Sequence, residues 1–117
     1  MPPEWTLYHN PKCSKSRGAA EFLASKGVAF AVVEYLKNPP DEAALRTLLA
    51  QLKLSAGDLV RTKEPCFAEL NLDLTNEGAV LQALARYPQL LERPIVVRGN
   101  RAVIARPTEN ILKLFGP

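Results

Sequence analysis

Two apolar runs, Pro94-Ile-Val-Val-Arg98 and Arg101-Ala-Val-Ile-Ala105, flank the pair Gly99-Asn100. Two such runs joined by two turn residues make a β-hairpin, which commits this stretch to an antiparallel pair within a sheet. The other strands lie near the N-terminus. Trp5-Thr-Leu-Tyr-His9 is rich in aromatic and β-branched residues and is ended by Asn10-Pro11; Val28 to Tyr35 reads as a second strand, stopped by Asn38-Pro39-Pro40. Between them the spacing predicts a helix from about Ser14 to Lys26, with Ala19, Phe22 and Leu23 inward. Gly27 suits the left-handed position after its end. Strands joined through a helix run parallel, so the hairpin completes a mixed sheet of four strands.

The middle of the chain is helical. Asp41 can cap a helix carrying Leu45, Leu48, Leu49 and Leu52. Ser55 to Leu70 reads as short helical turns and loops. Asp73 or Thr75 can cap a further helix to Arg86, with Val80, Leu81 and Leu84 inward. Pro107 fits the first turn of a last helix with Ile111, Leu112 and Phe115. The order β-α-β, helical middle, hairpin, helix is that of an α/β protein with thioredoxin-like architecture. The helical insertion falls between strands 2 and 3. At 117 residues, with no repeat and no linker, the expectation is one domain over residues 1–117.

Composition narrows the function classes. With 47% hydrophobic residues the chain can bury a core without a disulfide or a metal. The net charge of +3 comes from scattered residues, so nucleic acid is not an expected partner. No stretch approaches the roughly 20 apolar residues that span a bilayer. Met1-Pro2-Pro3-Glu4-Trp5 has no basic or apolar leader, so the expectation is a soluble cytoplasmic protein, monomeric and away from membranes. The only cysteines, Cys13 and Cys66, have no metal-ligand companions; a reactive thiol is then the case of interest.

Cys13 stands between a strand and a helix, in His9-Asn-Pro-Lys-Cys13-Ser-Lys-Ser16-Arg17. A thiol at a helix start meets the positive end of the macrodipole and unpaired N–H groups. Lys12, Lys15 and Arg17 add positive charge, and both effects favour the nucleophilic thiolate. The same donors can cradle an oxyanion. Ser16 occupies the place where dithiol oxidoreductases carry a second cysteine, so it cannot resolve a Cys13 adduct. It either donates to the thiolate or sits in the first helical turn. Cys66, in Glu64-Pro-Cys-Phe67, reads as a passive, partly buried thiol.

Five segments in order resemble the glutaredoxin-coupled arsenate reductase family, which also includes thioredoxin-fold regulators of the Spx type. They are Tyr8-His-Asn-Pro-Lys-Cys-Ser-Lys-Ser-Arg17, Tyr35-Leu-Lys-Asn-Pro-Pro40, Arg61, Arg93-Pro-Ile-Val-Val97 and Ala105-Arg-Pro107. The resemblance covers essentially the whole chain. It implies Cys13 as the catalytic nucleophile and Arg61, Arg93 and Arg106 as the arginines that hold arsenate. Guanidinium groups suit that task, since they offer paired donors and keep their charge. The resemblance also implies a cis Arg93-Pro94 bond facing the nucleophile, and a supporting role for His9 as a nearby cation that lowers the thiol pKa.

The implied reaction is arsenate reduction to arsenite through a Cys13 thiol-arsenate adduct. Glutathione is the reductant, glutaredoxin regenerates the enzyme, and no bound cofactor or metal is called for. Two other readings stand beside it. A redox-sensing regulator of RNA polymerase commonly carries a two-cysteine switch, which Ser16 removes. A glutathione-dependent thiol reductase with another substrate shares every feature above.

Overall fold

The computed structural model describes residues 4–116; Met1–Pro3, part of the stretch read as lacking a leader, and Pro117 lie outside them. Its contacts separate into two compact units, one formed by the chain up to Asn38 and from Arg93 onward, the other by Pro39–Glu92.

The first unit is built on β1 (Trp5–His9), whose Trp5 and Leu7 point into the apolar interior. Helix α1 (Ser14–Ser25) follows, then β2 (Phe30–Glu34), β3 (Ile95–Arg98) and β4 (Arg101–Ile104), in the sheet order β2-β1-β3-β4. β1 pairs in parallel with β2 and antiparallel with β3, and β3 with β4. This is the expected mixed α/β sheet of thioredoxin-like topology, with the helical segment inserted between strands 2 and 3. Leu7, Ala19, Leu23, Val96, Ala105, Ile111 and Leu114 form one buried cluster. Removal of so much apolar surface from water, at ~25 cal/mol per Å², is the main favourable term holding the sheet and α1 together.

Register decides where the ends of the strands fall. Tyr8 stands opposite Ile95, and Ile95 opposite Ile104, so the end of β1, the start of β3 and the end of β4 share one edge of the sheet. The Gly99-Asn100 turn lies at the other edge, with Gly99 at φ +59°. The hairpin rung from Ala105 N–H to Pro94 C=O, at 2.8 Å, brings Arg93 and Arg106 to the same edge as His9 and the start of α1.

The second unit is helical. α2 (Glu42–Leu52) is capped by Asp41, whose carboxylate accepts from Ala44 N–H at 2.8 Å, and it buries Leu45, Leu48 and Leu49. A 3-10 turn (Ala56–Leu59) and the short α3 (Pro65–Leu70) follow, as expected for a stretch of turns. α4 (Glu77–Arg86) buries Val80, Leu81 and Leu84 and packs on α2. Its cap is Asn76, not Asp73 or Thr75: Asn76 Oδ1 accepts from Ala79 N–H at 3.1 Å. The Asp73 carboxylate is taken up locally by the Thr75 N–H and hydroxyl, at 2.9 and 2.6 Å.

Two further expectations are corrected. β2 is shorter than Val28–Tyr35 because Val28 N–H closes the end of α1 on Leu23 C=O, and the chain turns after Glu34. The last helix is a 3-10 helix (Thr108–Leu114) preceded by Pro107, not an α-helix containing it. Three residues per turn place Ile111 and Leu114 on one face, and both are buried. Leu112, named with Ile111 as an apolar residue of this helix, is 49% exposed, and Phe115 lays its ring against Trp5. Hence Ile111→Ala and Leu114→Ala should each cost about 2–5 kcal/mol. Leu112→Ala should stay within about 0.5 kcal/mol of wild type. Urea unfolding of the three variants reads the difference directly, and equal losses at 111 and 112 would contradict the 3-10 register.

Candidate active site

Asn10 organises the loop that carries the thiol. Its carbonyl accepts from Cys13 N–H at 2.9 Å and its side-chain oxygen from Lys12 N–H at 3.0 Å, which together fold Asn10–Cys13 into a tight turn. Its own N–H donates to Ser16 Oγ at 2.9 Å. The Arg17 guanidinium donates to Pro11 C=O at 2.9 Å and closes the turn from the helix side. The sequence reading missed Asn10. Its signal in the sequence is the Asn-Pro pair, which initiates turns as well as ending the strand.

Cys13 is the residue before the first turn of α1, with extended backbone. Burial pushes its thiol pKa up. Hydrogen bonds from the Ser16 N–H, the Arg93 side chain and the Lys15 N–H, together with the Arg93 charge, outweigh that and hold it below the ordinary thiol value. The helix-start argument is therefore carried by two particular backbone donors and one guanidinium. Cys13 and Cys66 are both free and part-buried; Cys66 lies in α3 of the other unit.

Ser16 is the only polar residue among the buried ones described, with no exposed surface. Its hydroxyl is bonded to Asn10 N–H and to His9 Nδ1, the latter at 2.7 Å. Of the two readings open for Ser16, the geometry gives the place in the first helical turn, with the hydroxyl engaged away from the thiolate. Ser16 serves the sulfur through its backbone N–H while its side chain ties the loop to β1. His9 is also reassigned. Burial lowers its pKa, helped by Arg17 and opposed by Glu34, its partner across the β1–β2 register. A group held below an already mildly acidic pKa is neutral at pH 7, so His9 supports the site by its bond to Ser16 and not as a cation.

Arg93 precedes the buried Pro94 through a cis peptide bond, and its side chain reaches Cys13. Its Nε is buried without a partner, leaving a charge-bearing donor unsatisfied beside the thiol. The Arg106-Pro107 bond is also cis. The Arg106 side chain is exposed and lines an open cleft with Lys15, Pro107, Thr108 and Glu109. Arg61 belongs to the second unit, where Glu64 stands 3.1 Å and Glu92 3.9 Å from its guanidinium. Among the described residues no group of His, Cys, Asp and Glu sits together as a metal site requires.

A thioredoxin-like sheet with a single activated cysteine at the start of its first helix defines a class of thiol-based protein. Within that class, the chain belongs to the ArsC family, which it matches over residues 8–114. It is 46% identical over 112 residues to the arsenate reductase of Neisseria meningitidis serogroup A, covering 93% of this chain and 96% of that protein. It is 45% identical over 119 residues to YfgD of Escherichia coli K12, an uncharacterized protein, covering 99% and 100%. The solved structure of arsenate reductase from Vibrio cholerae superposes with a TM-score of 0.90 at 36% identity, covering 98% of this chain and all of that one.

The direction of the Cys13 shift makes a pH prediction. Alkylation by iodoacetamide should follow the thiolate, with a midpoint below that of a free thiol at about 8.5. Arg93→Ala should move the midpoint up, so its deficit is largest on the acid side and closes at alkaline pH, where both thiols are ionised. Ser16→Ala keeps the backbone donor and should move the midpoint less. A wild-type midpoint at or above the free-thiol value would remove the activated nucleophile.

Proposed function

We propose that the protein is an arsenate reductase coupled to glutathione and glutaredoxin, with Cys13 as its nucleophile. The observation that carries this reading is the Arg93 guanidinium, hydrogen-bonded to Cys13 with one donor still unpartnered, in a chain of the ArsC family. An oxyanion set beside the thiolate would pair with the Arg93 charge and meet the Ser16 and Lys15 N–H groups. Preorganised donors of this kind stabilise charge as it develops.

In the proposed cycle the Cys13 thiolate attacks arsenic and a protonated oxygen leaves as water, giving the As(V) thioester-like adduct. A glutathione thiolate then attacks the Cys13 sulfur. The S–As bond breaks with its electron pair going to arsenic, which departs as arsenite, As(III). Two thiols have together lost two electrons and form the Cys13–glutathione disulfide. Glutaredoxin takes the glutathione sulfur and releases the Cys13 thiolate. Arg93 and Arg106 would hold the oxyanion through these charge states. Thiols of this kind are kept reduced in the cytoplasm, the compartment we propose. No helix of the described residues is long and apolar enough to cross a membrane.

The test is a coupled assay with arsenate, glutathione, glutaredoxin, glutathione reductase and NADPH. Wild type should consume NADPH in proportion to arsenate, Cys13→Ser should be inactive, and Cys66→Ser should keep most turnover. Arg93→Ala should lose roughly one to two decades in rate, the worth of about 1.5–3 kcal/mol for a charged hydrogen-bond partner. Arg93→Lys should recover only part of it, because an ammonium cannot offer the planar pair of donors. Sulfate should slow alkylation of Cys13 in wild type and less so in Arg93→Ala. Absence of arsenate turnover with a normal thiol titration would instead favour the thiol reductase acting on another substrate.

A further inference from the structure

Two cations beside the thiol have no task inside the site. Lys12 and Lys15 stand one residue before and two residues after Cys13, and both side chains are exposed. Among the described residues neither ammonium joins a hydrogen bond or an ion pair; Lys12 is bonded only through its backbone N–H, to Asn10. The thiolate is held by Arg93 and by backbone N–H groups, so Lys15 serves the sulfur through its main chain and not through its charge. No Asp or Glu occurs between Glu4 and Glu21, so the loop and the first turns of α1 carry charge of one sign. Arg17 adds a third cation there, bonded to the Pro11 carbonyl. Glu109, which lines a cleft with Lys15, forms no ion pair with it.

Register brings an apolar residue to the same edge of the sheet. His9 stands opposite Glu34 in the parallel β1–β2 pair, so the turn after β2 leaves the sheet where the Cys13 loop does. Lys37 and Asn38 N–H both close on Glu34 C=O, at 3.0 and 2.9 Å, which folds the turn back on the end of the strand. Tyr35 is buried and anchors it, while Leu36 is 44% exposed. Lys37 is paired with Glu34 at 3.7 Å, which leaves Lys12 and Lys15 as the free charges. All of these residues belong to the same compact unit as Cys13.

These features suit a protein better than a small anion. An exposed leucine offers nothing to an oxyanion, whereas an apolar side chain within a charged rim is ordinary anatomy for a protein contact. Exposed charges of one sign also raise the encounter rate of a partner of opposite sign and orient it. We propose that the exposed rim formed by Lys12, Lys15 and Leu36 is the docking face for a glutaredoxin that meets it with an acidic surface around its own catalytic thiol. This rests on the glutathione-coupled reading above and names the surface on which its protein partner lands. In the step served, the partner's thiolate attacks the glutathione sulfur of the Cys13 mixed disulfide. The S–S bond breaks with its electron pair on Cys13, which leaves as the thiolate, and the glutathione stays on the partner.

The step is isolated by loading Cys13 from glutathione disulfide and adding a thiol with no arsenate present. Loss of glutathione from Cys13 is followed by mass spectrometry with two probes, an anionic glutaredoxin and uncharged mercaptoethanol. The ratio of their second-order rate constants removes any change in the reactivity of the Cys13 disulfide itself. Lys12→Glu and Lys15→Glu should each lower that ratio roughly two- to fivefold at ~10 mM salt, and the pair together about tenfold. Lys12→Arg and Lys15→Arg should keep it. The losses should fade at ~1 M salt, where charges act over only about 3 Å. Leu36→Ser should lower the ratio at either salt concentration, because its contact is not Coulombic. Circular dichroism checks the fold of each variant.

Ratios equal to wild type in both Lys→Glu variants would overturn the proposal. So would a loss that persists unchanged at ~1 M salt, or a glutaredoxin no faster than mercaptoethanol on the wild-type protein. Because no arsenate is present, failure of arsenate turnover leaves the result standing. Conversely, glutaredoxin-supported arsenate turnover that is insensitive to both lysines keeps the enzyme reading and removes this docking face.

Discussion

A buried hydroxyl joins the end of β1 to the first turn of α1: Ser16 Oγ, out of contact with water, holds Asn10 N–H and His9 Nδ1. A hydroxyl buried without partners would cost free energy, so the position is stable only while the turn keeps this shape. The shape in turn leaves the Lys15 and Ser16 N–H groups pointing at Cys13 and not at a side-chain cap. The turn between strand and helix, the direction of the helix start and the state of the thiol thus follow from one polar contact inside an apolar shell.

The electrostatics of the site is a contest that burial loses. Part-burial favours the neutral thiol, as desolvation always does for an acid. Against it stand two backbone donors and a guanidinium that is itself incompletely satisfied. Charged hydrogen bonds are roughly twice as strong as neutral ones, so a single arginine beside two N–H groups turns the balance. The surrounding lysines and Arg17 contribute less directly. Arg17 is engaged with the Pro11 carbonyl, and its charge bears on His9.

Sheet topology supplies the remaining positions. An antiparallel hairpin returns its two ends to the same edge, so Arg93 and Arg106 arrive beside each other although a whole hairpin separates them in sequence. Antiparallel pairing of β1 with β3 puts that edge next to the end of β1 and hence next to Cys13. Arg93 is bonded to the sulfur, and Arg106 lines a cleft with Lys15 and Glu109.

Local pattern was enough for much of this. The strands, α1 and α2 are written in period-two and helical spacings, Asp41 in its capping position and Gly27 in its positive φ of 70°. Cys13 stood out because strand, turn and helix start are contiguous, and contiguity is what a sequence displays best. The cap of α4 was misplaced because Asp73, Thr75 and Asn76 all have capping side chains, and only the competing bond from Thr75 to Asp73 decides among them. The 3-10 form of the last helix was hidden because Ile111, Leu112 and Phe115 fit a helical stripe as well as Ile111 and Leu114 do. The roles of Ser16, His9 and Asn10 depend on a contact between the end of a strand and a buried face of a helix. Which hydroxyl is buried, and therefore which bonds it must make, is a property of packing. Residue types along the chain determined that there would be a thiol at a helix start; only the tertiary structure decided which groups would hold its charge, because those groups meet in space through the sheet and not along the sequence.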